Sequence, residues 1–187
     1  MSYILGIDTS CDDTSVAVLK NDRVVSNIVA SQLDIHKQWG GVVPNLARRA
    51  HEATIQGCID LALKRAGLNT IQHIDALAVT YWPGLAPALE VGIHWAKKIA
   101  TEHHLPLIAV NHIEGHILSP LLKNSKGVTY SGMGSPRFPL LALCVSGGHT
   151  ELIWVEALGS YKIIGHTLDD AAGEAFDKVA RMLDLGY

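Results

Sequence analysis

The sequence predicts an α/β protein in which one unit occurs twice. Short apolar runs of strand length alternate with longer stretches of helical periodicity. A polar turn follows the first strand of each half. The order strand, polar turn, strand, turn, strand, helix begins near Tyr3 and again near Leu140.

Tyr3 to Ile7 reads as a buried strand, Asp8 to Thr14 as a polar turn, and Ser15 to Leu19 as a second strand. Asn21-Asp22 turns the chain into a third strand through Val24, Val25 and Ile28. A long helix is expected from about Asn45 to Ala66. Ile55, Ile59, Ala62, Leu63 and Ala66 recur there at helical spacing, and Gly67 stops it. Ile74 to Val79 is a strand, Leu89 to Ala100 a helix and Leu107 to Val110 a strand, before a helix opening at His112. The first lobe, 1–123, therefore reads βββαβαβα. A Gly/Ser-rich connecting flap, 124–138, leads to the start of a second lobe, 139–187. There Leu140 to Val145, Leu152 to Val155 and Lys162 to Ile164 are strands, Ser146 to Thr150 is a polar turn, and a helix starts near Asp169-Asp170. Two three-strand sheets with polar first turns suggest lobes that hold a phosphate-bearing ligand between them. Backbone N–H groups in such turns form anion-binding nests.

Composition narrows the function classes. With 187 residues, 48% hydrophobic, the chain is long enough for one substantial core or two small lobes. Its net charge of −3 offers no generally basic surface for nucleic acid. Arg48-Arg49, Lys64-Arg65 and Lys97-Lys98 read as solvated helix faces. Cys11, Cys58 and Cys144 are odd in number and far apart, unlike a disulfide framework. No apolar run approaches membrane-spanning length and the N-terminus lacks a basic leader, so a cytoplasmic protein without membrane contact is expected.

The sharpest local signal is His112 and His116, four residues apart after the N-capping Asn111. On a helix that spacing puts both imidazoles on one face, within reach of one metal ion. Two partly exposed histidines on an ordinary helix are an equal reading of the spacing alone. Glu114 sits about 200° around the helix from His112, badly placed as the general base of a metalloprotease. In the last helix, Ala172, Phe176, Val179 and Leu183 form an apolar stripe, while Glu174–Lys178 and Asp177–Arg181 have surface-pair spacing.

Five segments together resemble one family. They are Gly6-Ile7-Asp8-Thr9-Ser10-Cys11-Asp12-Asp13-Thr14-Ser15, Gly40-Gly41-Val42-Val43-Pro44, His112-Ile113-Glu114-Gly115-His116, Val145-Ser146-Gly147-Gly148-His149-Thr150 and Asp169-Asp170-Ala171-Ala172-Gly173-Glu174-Ala175-Phe176-Asp177-Lys178. In this order they look like the bacterial TsaD/Gcp family, once described as O-sialoglycoprotein endopeptidases and now as tRNA N6-adenosine threonylcarbamoyltransferases. The resemblance implies the duplicated actin/sugar-kinase/Hsp70 (ASKHA) fold, with its second lobe cut short here. It implies transfer of a threonylcarbamoyl group from threonylcarbamoyl-AMP to N6 of the adenosine at position 37 of tRNAs reading codons that begin with A.

Carried onto this chain, the resemblance implies that His112 and His116 bind iron(II) or zinc. It implies that Val145, Ser146, Gly147, Gly148, His149 and Asp177 contact the adenylate, and that Thr9, Ser10 and Cys11 belong to a phosphate-facing loop. The family's third metal ligand, an aspartate, is expected beyond Tyr187, so the chain reads as an N-terminal portion of doubtful activity alone. TsaB-like and TsaE-like proteins are the expected partners beside tRNA. Asp12 and Asp13 are candidates for the base that takes a proton from the attacking amine, with turn capping as their other reading. Asp8 and Asp13 stand where the family usually has glutamate. Trp82 stands at a usual glycine, and with Pro87 it is expected to obstruct a close backbone approach. Cys144 is expected to pack as a small apolar residue. Two other readings stay open: a non-catalytic TsaB-like binding subunit and an ASKHA small-molecule kinase.

Overall fold

The computed structural model describes residues 1–129 and 137–185. Their chain divides into two compact units, Met1–Gly132 and Met133–Tyr187. The expected flap at 124–138 therefore lies partly outside the described residues.

In the first unit, alternating apolar residues build a five-stranded sheet of order β3-β2-β1-β4-β5. The strands are β1 (Tyr3–Asp8), β2 (Asp13–Lys20), β3 (Arg23–Ser31), β4 (Ala76–Trp82) and β5 (Leu107–Asn111). β1, β2 and β3 form an antiparallel meander, whereas β4 and β5 run parallel to β1. Leu5 and Ile7 of β1, Val16 and Val18 of β2, and Leu77 and Val79 of β4 share one buried face. Burying a side chain of this size contributes roughly 1.5–3 kcal/mol.

That face is covered by α2 (Pro44–Arg65) and α3 (Ala86–His103). Pro44 opens α2, where its missing N–H costs nothing. Ile55, Ile59, Ala62 and Leu63 then recur at 3.6-residue spacing and all are buried in the common core. Gly67 follows at φ +73°, the left-handed position that ends a helix most cheaply in glycine. A short α1 (Leu33–His36) between β3 and α2 has no counterpart in the sequence expectation, because its four residues are too few for periodicity. α4 (His112–Leu118) begins directly after β5.

The second unit has an antiparallel sheet of order β6-β7-β8: β6 (Leu140–Val145), β7 (Thr150–Ala157) and β8 (Ser160–His166). Helix α5 (Ala172–Met182) follows. It starts later than expected because the Thr167 hydroxyl donates to the Asp170 carbonyl at 2.8 Å, holding residues 167–170 in a turn. Among the described residues, no helix is long and apolar enough to cross a membrane.

Candidate functional site

Parallel strands run out at a common edge, and in this unit the three carry a polar residue at or near that end. Asp8 closes β1, Thr80 lies near the end of β4, and Asn111 closes β5 just ahead of His112. Such carboxyl ends are where open α/β sheets place ligands.

Asn111 caps α4 as its sequence suggests, accepting from the N–H groups of Ile113 at 2.9 Å and Glu114 at 3.2 Å. That cap fixes the first helical turn and with it the direction of His112. The Asp8 carboxylate then accepts from His112 Nδ1 at 2.9 Å, with Ser10 Oγ at 3.1 Å from the same nitrogen. Asp8 is itself held, by the Ser10 N–H at 2.7 Å and the Thr80 hydroxyl at 2.8 Å. Burial alone would raise the Asp8 carboxyl. The hydrogen bonds from His112 and Ser10 outweigh it and hold the group well below the usual carboxylate range.

With its Nδ1 proton on Asp8, His112 presents an Nε2 lone pair. His116 Nε2 lies 2.9 Å from it, and the two rings meet edge to face at 79°. Two imidazole nitrogens on one tetrahedral zinc sit about 3.3 Å apart, so the pair converges at nearly the spacing of shared ligands. A carboxylate behind one histidine is also the usual support of a metal-binding imidazole. The donor set fits a borderline metal such as zinc or iron(II). Among the described residues, no group of three or more His, Cys, Asp or Glu side chains is arranged around an ion.

The loop between β1 and β2 is tied down at each residue. Thr9 is buried, its hydroxyl donating to the Ala88 carbonyl at 2.8 Å and accepting the Gly92 N–H at 3.2 Å. A Cβ on Gly92 would stand 2.6 Å from that hydroxyl, so glycine is required for α3 to approach. The Gly84 backbone presses on Ser10 in the same way: a Cβ there would lie 2.5 Å from the Ser10 carbonyl. The close approach doubted at Trp82 thus takes place at Gly84 instead. Trp82 is exposed, and Pro87 falls in the first turn of α3. The Cys11 side chain reaches the surface, yet desolvation by the surrounding loop and the Asp12 carboxylate push its thiol up to about 12, which slows its reaction at neutral pH. Asp13 opens β2 and Asp12 accepts the Gln32 N–H through its carbonyl at 3.1 Å. The carboxylate hydrogen-bonded to His112 of the pair is that of Asp8, which the sequence does not mark as a partner of the histidines. A polar residue at the end of each parallel strand was the signal that could have found it.

In the second unit, Val145 ends β6 and the turn 146–149 is closed by the Ser146 N–H to the His149 carbonyl at 2.8 Å. Ser146 Oγ accepts the His149 N–H at 3.0 Å. A Cβ on Gly147 or Gly148 would meet no atom within 4 Å, so packing within the fold demands neither glycine. Gly173 differs: it donates to the Ser146 carbonyl at 3.1 Å, and a Cβ there would stand 2.8 Å from the Gly147 backbone. Asp177 lies one turn further along α5, partly exposed. Lys178 pairs with Glu174 at 3.1 Å, whereas Arg181 Nε donates to the Asp177 carbonyl at 3.4 Å. Cys144 is buried in β6.

Residues 23–187 match the family model described as TsaD: tRNA N6-adenosine threonylcarbamoyltransferase. The chain belongs to the TsaD family. Two TsaD relatives, from Streptococcus pneumoniae strains Hungary19A-6 and CGSP14, are each 52% identical over 186 residues, 99% of this chain and 52% of the relative. Both carry the name tRNA N6-adenosine threonylcarbamoyltransferase, so this TsaD-family chain spans about half the length of the curated relatives it matches. Among solved structures, YeaZ from Pseudomonas aeruginosa superposes with TM-score 0.53 at 20% identity, over 88% of this chain and 66% of that one. The ethanolamine utilization protein EutJ from Carboxydothermus hydrogenoformans gives 0.54 at 14% identity, over 100% of this chain and 59% of that one. These likenesses are of fold alone, and they bear out the fold class expected for this TsaD-family chain.

Proposed function

We propose that this chain is the amino-terminal portion of a tRNA N6-adenosine threonylcarbamoyltransferase, carrying two of its metal ligands and part of its adenylate site. The observation that carries the reading is the Asp8–His112–His116 arrangement, in which a held carboxylate turns one imidazole lone pair toward the second ring. A small-molecule kinase of the same fold has no need of a histidine pair. A TsaB-like binding subunit, having no metal chemistry to perform, has no need of one either, and the likeness to YeaZ extends only to the fold.

In this reading the N6 amine of adenosine 37 attacks the carbonyl carbon of threonylcarbamoyl-AMP. The bond from that carbon to the phosphate oxygen breaks, AMP leaves with the electron pair, and the amine gives up a proton. Asp12 or Asp13 is the proposed acceptor of that proton. The N–H groups of Gly147 and Gly148, between the two that close the turn, are the proposed donors to the adenylate, and the open space at both glycines suits a close approach. The backbone of Thr9, Ser10 and Cys11 is the proposed phosphate-facing segment, and Asp177 is a proposed contact of the nucleoside. His112 and His116 would hold iron(II) or zinc, which supplies Lewis-acid polarisation of a carbonyl. The third ligand is proposed to lie in the half of the relatives' length that this chain does not span. tRNA is the acceptor, with TsaB-like and TsaE-like proteins as partners.

The test is incorporation of labelled threonine into tRNA, by this chain and by the same chain extended with a relative's second half, each with the two partner proteins. The extended chain should transfer and the 187-residue chain should not. Robust transfer by the short chain would overturn the division of the site. Failure of the extended chain, with its metal bound, would overturn the transferase reading.

A further inference from the structure

Three successive carbonyls of the loop between β1 and β2 turn into the protein, and each is held by a different element. The Ser10 carbonyl accepts the N–H of Leu85, the residue that caps α3, at 2.7 Å. The Cys11 carbonyl lies 3.0 Å from Nε2 of His51 on α2. The Asp12 carbonyl accepts the N–H of Gln32, the residue that caps α1, at 3.1 Å. In a trans peptide the next N–H points opposite to the carbonyl. The N–H groups of Cys11, Asp12 and Asp13 therefore face away from the elements that grip the carbonyls.

Two of the three grips are backbone to backbone. The third is a side chain, and it is fully buried. Because Nε2 of His51 faces a carbonyl it carries the proton, which leaves Nδ1 as acceptor. Nδ1 lies 2.7 Å from the Thr14 hydroxyl, and that hydroxyl lies 3.0 Å from Thr54 Oγ1. Thr54 in turn donates to the Ala50 carbonyl one turn back on α2. Both nitrogens are thus satisfied by a neutral ring locked in one tautomer. A polar group of this kind on the inner face of a helix is costly unless it is fully hydrogen-bonded. Ile55, Ile59 and Ala62 show that this face otherwise takes apolar residues.

We propose that His51 is a positioning residue for the phosphate-facing loop. Its Nε2–H on the Cys11 carbonyl sets the Cys11–Asp12 peptide plane, and so the direction in which the Asp12 N–H is offered to an anionic ligand. The substrate side of this role rests on the reading of residues 9–11 as phosphate-facing. The grip on the loop stands on the hydrogen bonds alone.

The experiment compares the whole chain with His51→Phe and His51→Gln, the latter keeping a side-chain N–H donor. The rate of alkylation of Cys11 by N-ethylmaleimide is followed by peptide mass mapping, with buried Cys58 and Cys144 as internal controls and a thermal melt alongside. Cys11 is exposed, so what slows its alkylation is the raised thiol that the held loop imposes; it should react at least tenfold faster in His51→Phe, with Cys58 and Cys144 unchanged, and His51→Gln should restore part of the slow rate. An unchanged Cys11 rate in His51→Phe overturns the proposal. So does a rise shared equally by all three cysteines, which marks general loosening rather than a released loop. Neither tRNA nor nucleotide enters this assay. A failed threonine transfer therefore counts against the transferase reading, and an unmoved Cys11 rate against the grip.

Discussion

Asp8 Oδ2 stands 2.9 Å from His112 Nδ1 although 104 residues separate the two in the chain. The contact exists because β1, β4 and β5 are parallel neighbours that end together, and it fixes which nitrogen of His112 is free.

The first prediction follows from that pairing. Asp8→Asn replaces a carboxylate with an amide that no longer secures the Nδ1 proton. Zinc affinity of the chain, measured by isothermal titration, should fall by roughly 10–100-fold, the usual effect of losing an outer partner of a ligating histidine. His112→Ala and His116→Ala should remove specific binding altogether. Equal affinity in Asp8→Asn and the parent chain would remove Asp8 from the site.

The glycines give a second prediction, because they divide into two kinds. Gly92→Ala forces its Cβ against the Thr9 hydroxyl, a rigid group held on both sides, and should cost about 1–3 kcal/mol in urea unfolding. Gly147→Ala enters open space and should leave stability within about 0.5 kcal/mol. Gly147→Val and Gly148→Val should likewise leave the fold, yet abolish adenylate binding by the extended chain. Adenylate affinity that survives both valine changes would show that the turn is no nest.

A third concerns pH. Burial lowers the affinity of the folded His51 ring for a proton, although the Cys11 carbonyl and nearby carboxylates oppose this. The unfolded chain therefore takes up that proton first as pH falls. The contribution of His51 is intact above about pH 6.5, the ordinary imidazole value, and is lost progressively below it. Urea midpoints between pH 5 and 7 should fall more steeply for the parent chain than for His51→Gln. Parallel slopes would mean that the ring titrates alike in both states.

The fourth prediction is about surface. Phe176, Met182 and Leu183 on or just after α5 are mostly exposed, as are Leu141, Leu143 and Val145 on β6. Apolar patches of this kind drive association. Light scattering should show the chain self-associating at micromolar concentration, and Phe176→Lys with Leu143→Lys should shift it toward monomer. A monodisperse parent chain would count against these faces as sticky.

Much of this is legible in the sequence, for local physical reasons. Asn111 announced the start of α4, Gly67 the end of α2, and alternation in Leu5, Ile7, Val16 and Val18 the buried face of the sheet. The histidine pair was legible because four residues return a helix to the same face. Asp8 was not, since its partner is remote in sequence and only strand order brings the two together. His51 was missed for a related reason: a single polar residue in an apolar stripe carries no sign of which carbonyl it will meet. α1 was missed because four residues hold no period.

The pressure of Gly84 on Ser10 also bears on how such a segment can diverge. What the loop excludes is a single carbon atom at position 84, and what it asks of position 85 is only a backbone N–H, which any residue but proline supplies. Trp82, 60% exposed, can therefore replace a smaller residue, and Pro87 can occupy the first helical turn, at no cost to that junction. Substitutions should accumulate freely on either side of position 84, so the signature that endures in distant descendants is one missing methyl group rather than a recognisable string of residues.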